Sequence, residues 1–171
     1  ILRHEPKARN NALANAFLKL GLVESSGVGR KRIFTLCLSL GKKIPRYESD
    51  GHSVTLRIFD GSFDENMARL AARWREEGRD IGLDGLLVLT FLRQFHYVDS
   101  GAAADLLQVS IPTAREILEQ LAMPRTGILE RRGHTKAATF HLAKGIAKDL
   151  LGKAAYTKAR GLNPIRYAEM V

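Results

Sequence analysis

The sequence has little cysteine and no long apolar run, and each scarcity excludes a class of protein. Cys37 is the only cysteine in 171 residues, which excludes an internal disulfide framework and leads us to expect a reducing, cytoplasmic location. Because Cys37 lies among apolar neighbours in "IFTLCLSL", we expect a buried thiol rather than a nucleophile. No apolar run approaches the roughly 20 residues that span a bilayer, so a membrane-spanning protein is not expected.

Catalytic and metal-binding motifs are also missing. The 5 histidines are scattered without the spacing of metal ligands, and neither a nucleophile elbow nor a Walker A loop occurs. The sequence therefore predicts that this chain is not an enzyme and holds no metal or cofactor of its own.

The two ends of the chain suggest a piece of a longer protein. The chain opens on Ile1, "ILRHEPKARNN" has no signal-peptide pattern, and "NPIRYAEMV" resembles the first turns of a helix. We therefore expect a fragment.

The net charge of +9 is unevenly distributed. Residues 1–61 carry 11 Lys/Arg against 5 Asp/Glu, residues 62–124 carry 6 against 10, and residues 125–171 carry 10 against 3. An acidic partner is therefore expected to meet the ends of the chain rather than its middle.

The first 61 residues predict two helices followed by a strand pair. "RNNALANAFLKLGLV" has apolar residues at helical spacing and stops at Gly21, and "GRKRIFTLCLSLGKK" repeats the pattern and stops at Gly41. The second helix is predicted to turn Ile33, Leu36, Cys37 and Leu40 inward. "HSVTLRIF" alternates apolar and polar residues, which predicts a half-buried strand with Val54, Leu56 and Ile58 inward.

The rest of the chain predicts a connecting helix and then a helix-turn-helix with a two-stranded ribbon. The connecting helix lies in "DGSFDENMARLAARWREEG" and is predicted to bury Met67, Leu70, Ala71 and Trp74. Three further helices follow, in "LDGLLVLTFLRQF", "DSGAAADLLQ" and "IPTAREILEQLAM", the second capped by Asp99 or Ser100 and the third by Ser110. Strands in "GILERRG" and "AATFHLA" then complete the order of a winged helix-turn-helix.

This arrangement predicts a DNA-binding surface on the third helix and the ribbon. The residues expected to contact DNA are Thr113, Arg115, Arg125, Arg131, Arg132, His134 and Lys136. On the third helix we expect Ala114, Ile117, Leu118 and Leu121 to face the core. Glu116 and Glu119 are expected to point outward and repel phosphates unless one of them accepts from cytosine. The alternative interpretation of the basic ribbon is a solvated hairpin whose charges keep an edge strand from pairing.

The stretch "SSGVGRKRIF" raises the question of a phosphate loop. Gly27, Gly29 and Arg30 precede or open a helix, and a helix N-terminus favours an anion. The stretch lacks a preceding strand and a Lys-Ser/Thr pair, so a vestigial loop is all that it predicts. In the alternative interpretation Ser25 or Ser26 caps the helix and the glycines permit a tight turn.

The residues of the first segment resemble a known family. "RNNALANAFLKLGLVESSGVGRKRI" and the strand "HSVTLRIF" are similar to the C-terminal part of RecG-related proteins, labelled ATP-dependent DNA helicases or transcriptional regulators. Arg9 and Asn10 resemble the family's Arg-Asn pair, and Gly27 and Gly29 its Gly-x-Gly. The resemblance covers about residues 5–60 and the winged helix more loosely. It implies a Schlafen-like, Alba-type domain and the first two thirds of a degenerate histidine-kinase-type ATPase module upstream, with Gly27 and Gly29 beside the nucleotide lid. ATP is therefore conceivable in the full-length protein and is not expected in this chain.

The sequence thus predicts an α+β fold with four segments. Residues 1–61 are the C-terminal part of an ATPase-like α/β module, residues 62–82 a connecting helix, residues 83–143 a winged helix-turn-helix, and residues 144–171 a basic helical tail that starts a further module. The leading hypothesis is a transcriptional regulator that binds double-stranded DNA mainly through the basic wing, with a homodimer expected because such regulators read paired half-sites. Two alternatives stay open: a protein-interaction or dimerisation winged helix without DNA binding, and part of an ATP-binding regulatory module.

Overall fold

The structure is a computed structural model that describes residues 8–23, 28–61, 63–134 and 137–161, with the backbone alone from residue 153. Within these residues the chain forms helices and two small antiparallel sheets, in agreement with the predicted α+β class. The elements are α1 (Asn11–Lys19), α2 (Val28–Ser39), β1 (Arg46–Ser49), β2 (Val54–Arg57), α3 (Glu65–Glu76), α4 (Gly82–Gln94), α5 (Ser100–Leu107), α6 (Ile111–Ala122), β3 (Leu129–Arg132), β4 (Thr139–Leu142) and α7 (Lys144–Gly161).

Side-chain caps define where four of the helices begin. Asn10, Asp64, Asp99 and Ser110 each accept a hydrogen bond from the backbone N–H three residues further on, which satisfies a donor that has no partner inside the helix. Of the two predicted caps of α5, Asp99 is the one that forms, and the predicted cap at Ser110 is confirmed. Pro112 lies in the first turn of α6, where its missing N–H leaves no helical hydrogen bond unmade.

One hydrophobic core joins α3 to α7 with both strands of the ribbon. Met67, Leu70 and Trp74 of α3 are buried as predicted, whereas Ala71 is only partly buried. On α6 the predicted inward residues Ala114, Leu118 and Leu121 are buried, and Ile117 packs against the same cluster while partly exposed. Leu38 of α2 belongs to this core as well, so α2 packs across the predicted boundary at residue 61.

The inward face of α2 differs from the prediction. Cys37 is buried as expected, but Leu36 and Leu40 are exposed, and Phe34 and Leu38 are buried instead. The reason is that α2 packs against α3 and α4, where Leu38 joins the core, and that Phe34 stacks on Tyr47 of β1. Periodicity alone locates a helix but does not choose between two adjacent apolar stripes.

The hairpin of β1 and β2 is more exposed than the sequence indicates. Val54 is 70% exposed and Ile58 54% exposed, so the prediction of a half-buried strand is wrong for these residues. Leu56, opposite Tyr47, is partly buried. The alternation is present, but Phe34 of α2 stacks on Tyr47, opposite Leu56, whereas Val54 on the same face stays exposed.

Gly41 connects the first segment to α3. It ends α2 with φ +68°, and its carbonyl accepts a hydrogen bond from the backbone N–H of Asp64 at 2.8 Å. Asp64 in turn caps α3 and forms an ion pair with Arg93 of α4. The backbone contact between Gly41 and Asp64 therefore links α2 to α3, and the ion pair of Asp64 with Arg93 links them to α4.

The ribbon of β3 and β4 has a third partner that the sequence analysis did not predict. Leu129 pairs with Leu142 and Arg132 with Thr139 in the antiparallel register. On the other side of β4, Val98 and Phe140 exchange both backbone hydrogen bonds, at 2.9 and 2.8 Å. Val98, which lies between α4 and α5, thus acts as a one-residue strand, and β4 lies between it and β3.

The last helix follows β4 directly. Glu130 accepts a hydrogen bond from the backbone N–H of Lys144 at 3.2 Å, which caps α7, and Arg73 of α3 pairs with Asp149 at 2.6 Å. The helical path breaks at Gly152, whose φ is +75°. The predicted basic tail beyond Gly161 lies outside the described residues. In the part of the chain that the structure describes, no helix combines the length and apolar character needed to cross a membrane.

Candidate nucleic-acid interface

The N-terminal half of α6 presents polar and apolar side chains to solvent. Ile111, Pro112, Thr113 and Glu116 are exposed, and Ala114 beneath them is buried. The Thr113 hydroxyl lies 2.8 Å from the Ser110 hydroxyl, whose oxygen also accepts from the Thr113 backbone N–H at 3.3 Å. Thr113 is accessible as predicted, but its hydroxyl is part of the helix cap.

Arg115 does not extend from α6 as the sequence analysis predicts. The residue is only partly exposed, and its Nε atom has almost no contact with solvent. The helical position of Arg115, directly after the buried Ala114, places the base of its side chain near the core boundary. Arg115 is therefore poorly placed to reach across a groove to a base edge.

Arg131 is exposed, and its guanidinium contacts α6. Side chains alternate along a strand, and Arg131 is opposite the buried Phe140, on the side of the ribbon that covers the helices. Its Nη1 lies 2.9 Å from Glu119 Oε1 of α6, and its Nη2 donates to the His134 carbonyl at 3.4 Å. The DNA contact expected of Arg131 stays a prediction, and in the structure its side chain is paired with Glu119.

Arg132 lies on the opposite face of the ribbon. It is opposite Thr139, whose hydroxyl lies 3.1 Å from His141 Nε2, and the ring of His141 lies 6.0 Å from that of Tyr97. Burial lowers the pKa of His141, and the nearby Arg132 lowers it further. The positive charge of this face is therefore carried by Arg132, with a neutral imidazole beside it at pH 7.

The remaining predicted contacts are spread along the surface. Arg125 lies in the turn after α6, at the opposite end of that helix from Thr113; α6 has 12 residues and is therefore about 18 Å long. His134 is exposed at the tip of the ribbon. Lys136 lies outside the described residues.

Two of the predicted cations are both exposed and without an acidic partner among the described residues. These are Arg125 and Arg132. The structure brings Arg131, Glu119 and His134 together, but it does not bring Arg125 into the same cluster. The interface that it offers is a surface with separated cations rather than a concentrated basic wing.

The candidate phosphate loop is only partly described. Gly29 is exposed in the first turn of α2, which begins at Val28, and Arg30 is partly buried with an interaction of its own. Gly27 lies outside the described residues. The vestigial phosphate loop stays a prediction.

The structure contains a basic groove that the sequence did not predict. It lies between the segment after α2, the segment before α3 and the end of α4, and has a volume of about 660 Å³. The sequence signals were present in "GKKIPRY" and "FDGSF", but only folding brings these stretches together. Elsewhere in the described ranges, no three His, Cys, Asp or Glu side chains meet as metal ligands.

Comparison with known proteins connects the first third of the chain to one family. A sequence-family model described as "Putative ATP-dependent DNA helicase recG C-terminal" matches residues 1–58. This agrees with the resemblance drawn from about residues 5–60. The chain has no match among curated proteins.

A solved structure supports the fold over most of the chain. The crystal structure of the DIP2311 protein from Corynebacterium diphtheriae is similar at a TM-score of 0.67 and 23% sequence identity, over 89% of this chain and 31% of that one. This chain thus spans about a third of the length of the structure it matches. The likeness shows a shared α+β fold, and the family match shows that the first third of the chain is similar to the C-terminal region of RecG-related proteins.

Proposed function

We propose that residues 83–143 form a winged helix-turn-helix that binds double-stranded DNA, within a RecG-related regulatory protein. The observation that carries the proposal is the bridge between Val98 and Phe140. The bridge places a one-residue strand between α4 and α5 and attaches the ribbon to it, which fixes the position of the ribbon beside α6. An exposed α6 beside a two-stranded ribbon is the arrangement that presents one helix to a major groove.

The residues assigned to DNA in this proposal are fewer than the sequence suggests. In the proposed complex the exposed N-terminal turn of α6, with Thr113, faces the major groove of the DNA. Arg132 and Arg125 contact phosphates on either side of that groove. Phosphate contacts provide affinity without sequence preference, so binding is expected to be weak and strongly dependent on salt. The name of the matched family, a DNA helicase, supports DNA as the partner. The proposal assigns no catalytic step to these residues.

Replacing both unpaired arginines should weaken duplex binding. For Arg125→Ala/Arg132→Ala we expect roughly a tenfold or greater loss of affinity at low salt, because each charged hydrogen bond contributes on the order of 1 kcal/mol or more. The slope of log affinity against log salt should also fall by about two. Fluorescence anisotropy of a labelled random-sequence duplex at several salt concentrations measures both quantities.

The control removes the same charge from another surface. Arg69 and Arg75 are exposed on α3, away from α6 and the ribbon. The double variant Arg69→Ala/Arg75→Ala should bind the duplex like the unaltered chain. Equal losses in both double variants would show that the net charge, and not this surface, attracts the duplex.

The ion pair between Glu119 and Arg131 favours the second candidate, a winged helix that docks a protein partner. A carboxylate that neutralises a wing arginine, together with the exposed Glu116 on the same helix, makes the surface less attractive to phosphates. In this alternative α6 is a partner-binding helix and duplex binding is absent or insensitive to its charges.

Glu119→Gln separates the two candidates. If duplex DNA contacts this surface, the variant should bind it about two- to fivefold more tightly, because Arg131 is released and one repulsive charge is removed. Glu65→Gln, which breaks an exposed pair with Arg69 on α3, is the matched control. An unchanged duplex affinity in Glu119→Gln would favour protein docking. The same anisotropy titration provides the measurement.

A further inference from the structure

The basic groove is formed by three segments that are distant in sequence. Gly41 to Ile44 and Arg46 follow α2, Phe59 and Phe63 to Asn66 lie before α3 and in its first turn, and Thr90, Arg93 and Gln94 lie at the end of α4. Its volume of about 660 Å³ falls within the roughly 300–1,000 Å³ typical of ligand sites. The backbone contact between Gly41 and Asp64 forms its floor, so the groove is held by the fold rather than by a free loop.

Four cations line the groove, and two of them form ion pairs with carboxylates. Lys42 Nζ lies 2.6 Å from Asp60 Oδ1, which raises the pKa of Lys42 and lowers that of Asp60, and Arg93 pairs with Asp64. Lys43 and Arg46 are exposed and have no acidic partner in the described part of the chain. The groove therefore offers two cations without an acidic partner, together with the carboxylate of Glu65, which is paired with Arg69 of α3.

Arg46 is directed toward an aromatic ring instead of a carboxylate. It is opposite Arg57 in the hairpin, a repulsive arrangement, and Arg57 has its own partner in Glu48 at 3.1 Å. The guanidinium of Arg46 lies 5.8 Å from the centre of the Phe59 ring. A cation and an aromatic face are thus presented side by side.

Phe63 supplies a second, open aromatic surface. It precedes the cap Asp64, a position at which an apolar residue often packs against the first turn of the helix. Phe63 is nevertheless 65% exposed, so the helix does not cover its ring. An exposed ring in the same groove as two cations without acidic partners offers a face on which a base can stack.

We propose that this groove binds a single-stranded nucleic acid. Lys43 and Arg46 contact the phosphates, and a base stacks on Phe63. Grooves that bind single strands combine a positive track with aromatic side chains on which bases stack, and such binding tolerates any sequence. A duplex does not fit this description, because its bases are stacked on one another and their faces are not available. The groove shares no residue with α6, β3 or β4, so the proposal does not rest on duplex binding by the winged helix.

The test is fluorescence anisotropy of a short labelled oligo(dT), with oligo(rU) as a second probe to distinguish DNA from RNA. Phe63→Ala should weaken binding by about five- to a hundredfold, since one stacked base contributes about that factor. Lys43→Ala/Arg46→Ala should reduce the salt slope by about 1.4, because each phosphate contact on a single strand contributes about 0.7. Arg125→Ala/Arg132→Ala should leave oligo(dT) binding unchanged.

Three controls make the outcome decisive. Phe95→Ala removes another exposed ring, 52% exposed and outside the groove, and should bind oligo(dT) normally. Circular dichroism and thermal melting of each variant establish that it is folded. Polyglutamate as probe should bind weakly and without dependence on Phe63. The proposal is overturned if oligo(dT) does not bind, if Phe63→Ala and Phe95→Ala behave alike, or if polyglutamate binds as well as oligo(dT). Loss of duplex binding in the arginine variants, with oligo(dT) binding intact, separates the two sites.

Discussion

Gly41→Ala is expected to destabilise the chain by about 3 kcal/mol or more. Gly41 has φ +68°, a conformation that costs a residue with a Cβ atom roughly 1–2 kcal/mol. A Cβ atom at this position would also lie 2.9 Å from the backbone N and C of Asp64, and closer still to its carbonyl oxygen. Backbone cannot move aside like a side chain, so the hydrogen bond from Asp64 to Gly41 and the cap of α3 are strained together.

Gly21→Ala is a closely matched control. Gly21 ends α1 with φ +67°, nearly the same as Gly41, but nothing lies within 4 Å of the position that its Cβ would occupy. Alanine there should cost about 1 kcal/mol, the conformational contribution alone. Urea unfolding of both variants measures the difference. Equal losses would mean that backbone conformation, and not the approach of Asp64, decides the effect.

Phe140→Ala is expected to cost about 3–5 kcal/mol, a large part of the total stability of a domain. Phe140 is fully buried in the middle strand, where it pairs with Arg131 on one side and Val98 on the other. Removing the ring leaves a cavity where the ribbon meets the helices, so the ribbon loses its position relative to α6. Because the alanine variant is expected to be largely unfolded at moderate temperature, Phe140→Leu provides a milder variant that should lose about 1.5 kcal/mol.

Phe95→Ala provides the contrast for Phe140. Phe95 is 52% exposed and stacks on Phe91 with the ring centres 4.5 Å apart. Its removal should cost less than about 1.5 kcal/mol, since aromatic pairs of this kind contribute about 0.5–1.5 kcal/mol. Thermal melting and urea unfolding of the three variants give the order of stabilities. If the Phe140→Ala variant were as stable as Phe95→Ala, the burial of Phe140 in the core would be contradicted.

Local sequence signals predicted the helices well. Caps at Asp99 and Ser110 and stops at Gly21 and Gly41 act within one turn of backbone, so residue type and spacing are sufficient to locate them. Burial on α3 was also predictable, because its apolar residues form one clear stripe. On α2 there are two adjacent apolar stripes, and the choice between them depends on how α3 and α4 pack.

Charge in the candidate DNA interface was predicted less well. The composition of the ribbon shows its arginines, but not which face each occupies or which carboxylate it meets. Arg131 and Arg132 are neighbours in sequence and both exposed, yet alternation along β3 directs Arg131 to Glu119 and leaves Arg132 without an acidic partner among the described residues. The strand register decides this, and register depends on partners that are distant in the chain.

The sequence by itself determined the order of helices and ribbon, the buried thiol of Cys37 and the positive charge at both ends, since these depend on residue type and short-range spacing. Only the tertiary structure decided that Val98 joins the ribbon, that Glu119 neutralises Arg131, and that Lys43, Arg46 and Phe63 border one groove. Each of these contacts joins residues that are well separated in the chain. Their meeting depends on the packing of whole elements around the core, which no local pattern encodes.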